Sequence, residues 1–381
     1  MPRQQRTRDP NPFVFARPLA PDQLVDREAE LDLLAERLVD TVNTRLASPR
    51  DYGKTSLLRR ALVDARSSGA AAVLVDLYGV RTAGQIAAQI ERAYEDLPAG
   101  PLRKAHTALR KRGARLGVRA PSVGVSLSVG AGEAGHRALL DALDLPHGLH
   151  QRTGVPVMVV FDEFQTVLQA QLDALVRSVI QHHGRGVTYV FSGSHPGMML
   201  SMFADRRRPF YGQAAPMKLG RLPREDLAAY VDERFEKSGR DAGEALGWLL
   251  DVVDGHPQRA MLFAHLLWRY TPSGETAGEE AWSGAYAEAW DYLQRDFEAT
   301  WDSLSTIEAG VVDAVAAGVR GLTGKAAREV YGLPAGSAAP DAAKRLAREG
   351  LLLERREDDS LALVDPVFAR WVVAGRRWTL E

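Results

Sequence analysis

The 381 residues include no cysteine, which excludes disulfide bridges, thiol nucleophiles and cysteine-ligated zinc. An excess of either charge is also missing, with 48 Lys and Arg set against 49 Asp and Glu. Attraction to nucleic acid or to a membrane surface therefore has to come from local patches. Long apolar runs are absent as well. The longest useful one, Val155 to Phe161, is far short of the roughly 20 residues a membrane span needs. The basic stretch Met1 to Pro10 has no apolar segment behind it, so it does not read as a secretory signal, and a cytoplasmic location is the default expectation. What is present is a globular profile, 45% hydrophobic and 25% charged, of a length that suggests two or three domains.

The most informative stretch is Ser48, Pro49, Arg50, Asp51, Tyr52, Gly53, Lys54, Thr55 and Ser56. It follows a short apolar run and opens a helix-periodic one (Leu57, Leu58, Ala61, Leu62). That context turns a Gly-Lys-Thr tripeptide into a phosphate-binding loop. Successive backbone N–H groups and the positive end of the following helix would cradle a polyphosphate. Lys54 would reach the β/γ-phosphates and the Thr55 hydroxyl would ligate Mg²⁺. Ser48 stands where the pattern has its first glycine, a departure because glycine makes a tight turn without steric cost.

A second chemistry-bearing segment follows the apolar run 155–161. Asp162 and Glu163 come at the carboxyl end of a strand expected to be buried on both faces of a parallel sheet, which is where open α/β sheets bind their ligands. Alone, the pair could be a helix cap. With the loop upstream, Asp162 is expected in the Mg²⁺ shell, and Glu163 is expected to orient or deprotonate the attacking water. Ser192 and Ser194 end a further strand; either could contact the γ-phosphate or the lytic water, or both could be turn residues. Arg259 lies in the first turn of a helix opened by Pro257. A cation there opposes the helix dipole unless an anion faces it, so Arg259 is a candidate phosphate contact. Arg206, Arg207 and Arg208 are candidates for an arginine finger or, equally, a solvated helix end.

Strands alternate with helices through the first half, the pattern of βαβ units and a parallel sheet. Helices are expected over 26–38, 82–94 and 134–143, and strands over 71–77, 155–161 and 188–194. Residues 97–132 read as an insertion: Arg103, Lys104, Arg110, Lys111, Arg112, Arg115 and Arg119 come without an acidic residue, then 123–129 alternate like a half-buried strand or hairpin. From Leu222 onward helix follows helix (224–237, 242–253, 257–270, about 281–304). Three short helices and an apolar hairpin over 351–364 then give the layout of a winged helix. His182, His183, His147 and His150 lack metal-site partners at useful spacing and read as surface or turn histidines. The tryptophans read as core packing.

In this order the pieces resemble the AAA+-like P-loop ATPases of the STAND class, in particular the archaeal ATPase family, relatives of the origin-recognition initiators. The stretches that carry the likeness are 24–28, 48–56, 160–165, 191–194, 211–212, 255–257 and 364–368, spread over nearly the whole chain. The resemblance implies an N-terminal arm (1–20), a P-loop core with a parallel sheet (21–221, with the insertion), an all-α lid (222–304) and a C-terminal winged helix (305–381). It also implies that Arg27 and Glu28 lie near the adenine and that His256 and Pro257 belong to a nucleotide-sensing lid. Gln213 stands where relatives often have an arginine. The implied activity is an ATP- and Mg²⁺-dependent switch that hydrolyses slowly and couples ATP or ADP to domain rearrangement, with nucleotide-dependent self-association as a further expectation. DNA is one expected partner, through Lys344, Arg345 and Arg348 or the basic insertion. The alternative is a weakly hydrolysing or non-hydrolysing ATP-dependent protein-interaction scaffold whose winged helix binds no DNA, which the acidic hairpin tip at 354–359 favours.

Overall fold

The computed structural model describes residues 10–97, 100–115, 131–356 and 358–376. The alternating stretch 123–129 and Arg119 lie outside the described residues. Contacts divide the chain into two compact units: residues 20–48 with 54–219, and residues 1–19 with 49–53 and 220–381.

The first unit is built on β1 (Thr44–Ala47), β2 (Ala71–Asp76), β3 (Val157–Asp162), β4 (Val187–Gly193) and β5 (Ala215–Met217), in the order β2-β3-β4-β1-β5. Every pairing is parallel. All residues of β3 and β4 are buried, as central strands covered on both faces must be. Side-chain alternation divides the core accordingly. On one face Leu46, Ala72, Met158, Val160 and Val190 pack with Leu34, Leu38, Leu57, Leu58 and Leu62 of helices Glu28–Asp40 and Lys54–Ser67. On the other face Val73, Val75, Val159, Phe161 and Phe191 meet helices Ala83–Glu95, Ala131–Leu143 and Pro196–Ala204. Thr82 and Gln85 form a capping box at the start of Ala83–Glu95, which satisfies two of the N–H groups that a helix start leaves open.

The histidines at 183 and 182 part company, and the expectation of surface residues is corrected for one of them. His183 is buried between Tyr189 Oη (2.6 Å) and Asp144 Oδ1 (3.1 Å), with the His147 ring stacked on it at 5.2 Å. Its pKa is lowered, first by burial, although Asp144 pulls it back up. Among the described residues no cluster of three metal-ligating side chains forms.

The second unit begins with helices Arg224–Lys237, Ala245–Val253, Pro257–Tyr270 and Glu279–Asp302. It continues with Thr306–Ala316, Lys325–Tyr331 and Ala338–Glu349, an antiparallel hairpin of β6 (Leu353–Arg355) and β7 (Leu361–Leu363), and helix Pro366–Val373. Trp268, Trp282, Trp290 and Trp371 are buried. Part of the N-terminal arm is docked here: Phe13 packs against Tyr230 and Phe235, and Asn11 Nδ2 donates to the carbonyl of His265 at 2.9 Å. Among the described residues no helix is long and apolar enough to cross a membrane.

Phe164 sits just beyond β3, fully buried, with rings of Phe161, Phe191, Phe203 and Phe210 between 4.5 and 6.2 Å away. It holds the strand end in place, so Phe164→Ala is expected to cost about 3–5 kcal/mol and to lower the midpoint of thermal unfolding. A midpoint within a degree of wild type would show that this cluster does not anchor the strand.

Candidate functional site

The loop after β1 runs from Ser48 to the first residue of its helix, Lys54. Asp51 (φ 65°) and Gly53 (φ 84°) both adopt the left-handed region, and glycine is the residue that does so without penalty. The space beside Gly53 is open, so backbone conformation, and not crowding, calls for glycine there. Arg50 and Asp51 are exposed, while Tyr52 is buried. Ser48, at the first pattern position, is fully buried, and its hydroxyl exchanges bonds with the Leu219 backbone (2.8 Å from N–H, 3.2 Å to C=O). Its side chain therefore ties the strand end to a neighbouring segment, and its carbonyl accepts from Lys54 Nζ at 2.8 Å. Lys54 is 6% exposed, so its ammonium is desolvated and held at the loop. Ser56 is buried.

Asp162, the last residue of β3, is brought to the same helix start. Its Oδ2 accepts from Thr55 Oγ1 at 3.2 Å, and its Oδ1 accepts from Ser192 Oγ at 2.9 Å and from the Glu163 N–H at 3.1 Å. The Ser192 bond follows from register: Phe161 pairs with Phe191, so the next residue of each strand is adjacent. Burial pushes the Asp162 pKa up and the Glu163 charge adds to it; the Ser192 bond, the Glu163 N–H and the Lys54 charge oppose. A hydroxyl and a carboxylate are the hard oxygen donors that Mg²⁺ takes, and this ion keeps several of its waters. The residues present therefore fit a magnesium nucleotide.

Glu163 has φ 55°, a conformation that few residues other than glycine adopt and one that costs energy outside an over-determined setting. Its Oε2 accepts from Ser194 Oγ at 2.7 Å and from Gln165 Nε2. The two serines open to several readings from sequence are thus each bonded to one of the two carboxylates, Ser192 to Asp162 and Ser194 to Glu163. Gln165 was given no role from sequence, although it closes the 160–165 stretch that carries the family likeness.

Other candidates have other partners. Arg27 is 6% exposed, paired with Glu30 at 3.0 Å, and its backbone N–H is capped by Glu28 Oε2. Arg207 bonds Asp205 at 2.9 Å and Arg208 lies 3.9 Å from the buried Asp173, just beyond the end of helix Pro196–Ala204.

The second unit holds a polar network of its own. Tyr52 Oη is 3.4 Å from Glu354 Oε2 and donates to the Val364 carbonyl at 3.3 Å. Burial, then Glu354, raises its pKa. Arg221 binds Glu354 Oε1 (3.0 Å), Asp254 Oδ2 (2.6 Å) and the Leu363 carbonyl (2.9 Å). Gly255 (φ 70°) lies where a Cβ would stand 2.4 Å from the Leu222 carbonyl. His256 caps helix Pro257–Tyr270 by accepting from the Arg259 N–H at 3.4 Å, and its ring meets Tyr52 edge-on at 5.1 Å. The anion that Arg259 needs at this helix start is Asp365, at 2.6 and 2.9 Å. Asp365 also caps helix Pro366–Val373. Burial would raise the Asp365 pKa, but Arg259 and His256 hold it below the usual range.

No protein-family model matches the sequence, and no curated protein does. Solved structures do match. The Walker-type ATPase PABY2304 of Pyrococcus abyssi superposes with a TM-score of 0.67 at 18% identity, over 94% of this chain and 98% of that one. The Aeropyrum pernix ORC2 protein, solved as ADPNP–ADP complexes, gives 0.59 at 16% identity, over 94% and 95%. The chain has the fold of these P-loop ATPases.

His256 supplies a pH test. Burial lowers its pKa from 6.5 to about 4, and the nearby arginines add to this against Asp365. The unfolded chain takes up this proton below pH 6.5 and the folded one only near pH 4, so stability falls as the pH drops through that window. Wild type is expected to lose about 3 kcal/mol more than His256→Asn between pH 7 and 4, measured by denaturant unfolding. Equal losses would show that the ring is not held neutral.

Proposed function

We propose that the protein is an ATP-binding, slowly hydrolysing switch of the AAA+/STAND kind. The observation that carries the reading is the meeting of Thr55 and Asp162 beside the buried Lys54. Backbone N–H groups over 50–55 and the Lys54 ammonium would hold the phosphates, and Thr55 and Asp162 would hold Mg²⁺. Bound there, the ion would neutralise charge on the phosphate oxygens. Glu163 would accept the proton of the attacking water. Arg27 and Glu28 at the adenine, and His256 with Pro257 in the lid, are carried over from the family likeness.

For the output of the switch, the pairing of Tyr52 with the β6–β7 hairpin is the supporting observation. A ligand shifts an equilibrium only through contacts that differ between states, and a phosphate-loop residue bonded to the hairpin provides such a contact. We read residues 305–381 as a winged helix that serves a protein partner in preference to DNA. Of the expected DNA-facing cations Lys344, Arg345 and Arg348, Arg345 is paired with Glu308, and nearby Arg320, Arg355 and Arg356 are paired with Asp358, Asp359 and Asp254. DNA binding that falls steeply with salt would restore the other reading.

Lys54→Ala is expected to lose ATP binding, measured by calorimetry with magnesium. Glu163→Gln is expected to bind ATP within about threefold of wild type while turnover drops at least about 100-fold. Unchanged phosphate release in Glu163→Gln removes it from the base role, and undiminished ATP affinity in Lys54→Ala removes the site itself. For the switch, Tyr52→Phe is expected to raise amide exchange over 353–363 roughly fivefold, the equivalent of about 1 kcal/mol. Unaltered exchange would uncouple loop and hairpin.

A further inference from the structure

We propose that Gln165 is a positioning residue for Glu163: with Ser194 it clamps one carboxylate oxygen so that the other is presented to water. The assignment rests on the base role proposed for Glu163. Gln165 opens the short helix Gln165–Gln169 and is 3% exposed. Its Nε2 donates to Glu163 Oε2 and to Ser194 Oγ at 3.4 Å, and His195 Nδ1 lies 3.3 Å from it. Ser194 Oγ in turn donates to the same Glu163 Oε2 at 2.7 Å. Oε2 thus receives two donors, whereas Oε1 has no described hydrogen bond. The amide orientation is fixed by this arrangement, because a flip would set the Gln165 carbonyl against a carboxylate.

The other end of the amide argues against a merely structural role. Gln165 Oε1 is buried without a hydrogen-bond partner, a state that costs about 1–3 kcal/mol. A residue kept for stability would satisfy both ends or be apolar. Room for the side chain is also made at a cost to sequence freedom: a Cβ on Gly193 would lie 2.6 Å from Gln165 Oε1 and 2.5 Å from Met199. Glu163 needs the restraint, because its left-handed backbone does not by itself fix where the carboxylate points, and bonds to an ionised acceptor are about twice as strong as neutral ones.

The test measures single-turnover ATP hydrolysis and ATP affinity in Gln165→Met, which keeps the shape and removes the donor. It repeats both in Ser194→Ala and in each variant combined with Glu163→Gln. Gln165→Met is expected to slow hydrolysis about 10- to 100-fold with ATP affinity within about threefold of wild type. Ser194→Ala is expected to show the same split, which keeps the proposal testable if Gln165→Met does not fold. In the Glu163→Gln background neither change is expected to slow the residual rate further. Wild-type hydrolysis in Gln165→Met while Glu163→Gln is inactive overturns the clamp and leaves the base role standing. An equal further loss in the Glu163→Gln background overturns it too. If Glu163→Gln itself hydrolyses normally, the base role has failed, and the clamp with it.

Discussion

A carboxylate buried at the tip of an all-apolar strand is the constraint around which the first unit is arranged. Asp162 is 7% exposed, and removing a charge from water is costly unless partners meet it. Strand order supplies them. Because β4 lies between β1 and β3, the Ser192 hydroxyl stands beside Asp162 on one side, and the helix after β1 delivers Thr55 from beyond it. Two strand spacings, roughly 10 Å, separate β1 from β3, a gap that two side chains and one intervening strand end can close. A shift of register by one residue would turn Ser192 to the opposite face and leave one oxygen of the acid without that hydroxyl.

Much of this was legible where chemistry and periodicity coincide. The apolar run at 155–161 and the acids after it announced a central strand with its reactive end, and helices 224–237 and 257–270 have the bounds their periodicity and Pro257 suggested. The elements that escaped are short or remote. β5 is three residues with Pro216 in the middle, tolerated only because it lies at a sheet edge, and the helices at 165–169 and 173–180 are too brief to show a period. Arg259 was marked as needing an anion, but Asp365 is 106 residues away, and its only local sign was an Asp-Pro start typical of a capped helix. His183 looked like a turn residue because nothing near it in sequence announces Tyr189 and Asp144 as partners.

The ion pair of Arg259 with Asp365 bears on what the proposed switch can do. Both side chains are largely buried, 14% and 18% exposed, so removing either partner alone would strand a charge, typically at a cost of about 3–5 kcal/mol. An arginine so placed does not simply let go of its carboxylate to reach a phosphate. It can exchange one anion for another, because the guanidinium then stays compensated throughout. Asp365 keeps a second task on its other oxygen: Oδ1 accepts from the Val367 and Phe368 N–H groups at the start of helix Pro366–Val373, while Oδ2 faces Arg259.

The same economy applies to the loop. Its flanking residues Ser48 and Lys54 belong with the sheet, while Pro49–Gly53 group with residues 220–381. Among the described residues Tyr52 Oη hydrogen-bonds with Glu354 and the Val364 carbonyl, at 3.4 and 3.3 Å, both long for bonds of an O–H group. Weak bonds suit a contact that has to be broken and remade, since the ligand must supply whatever free energy the shift demands. A tight bond here would hold the hairpin in one state; under the proposed switch, the weaker ones leave a difference that a third phosphate could supply.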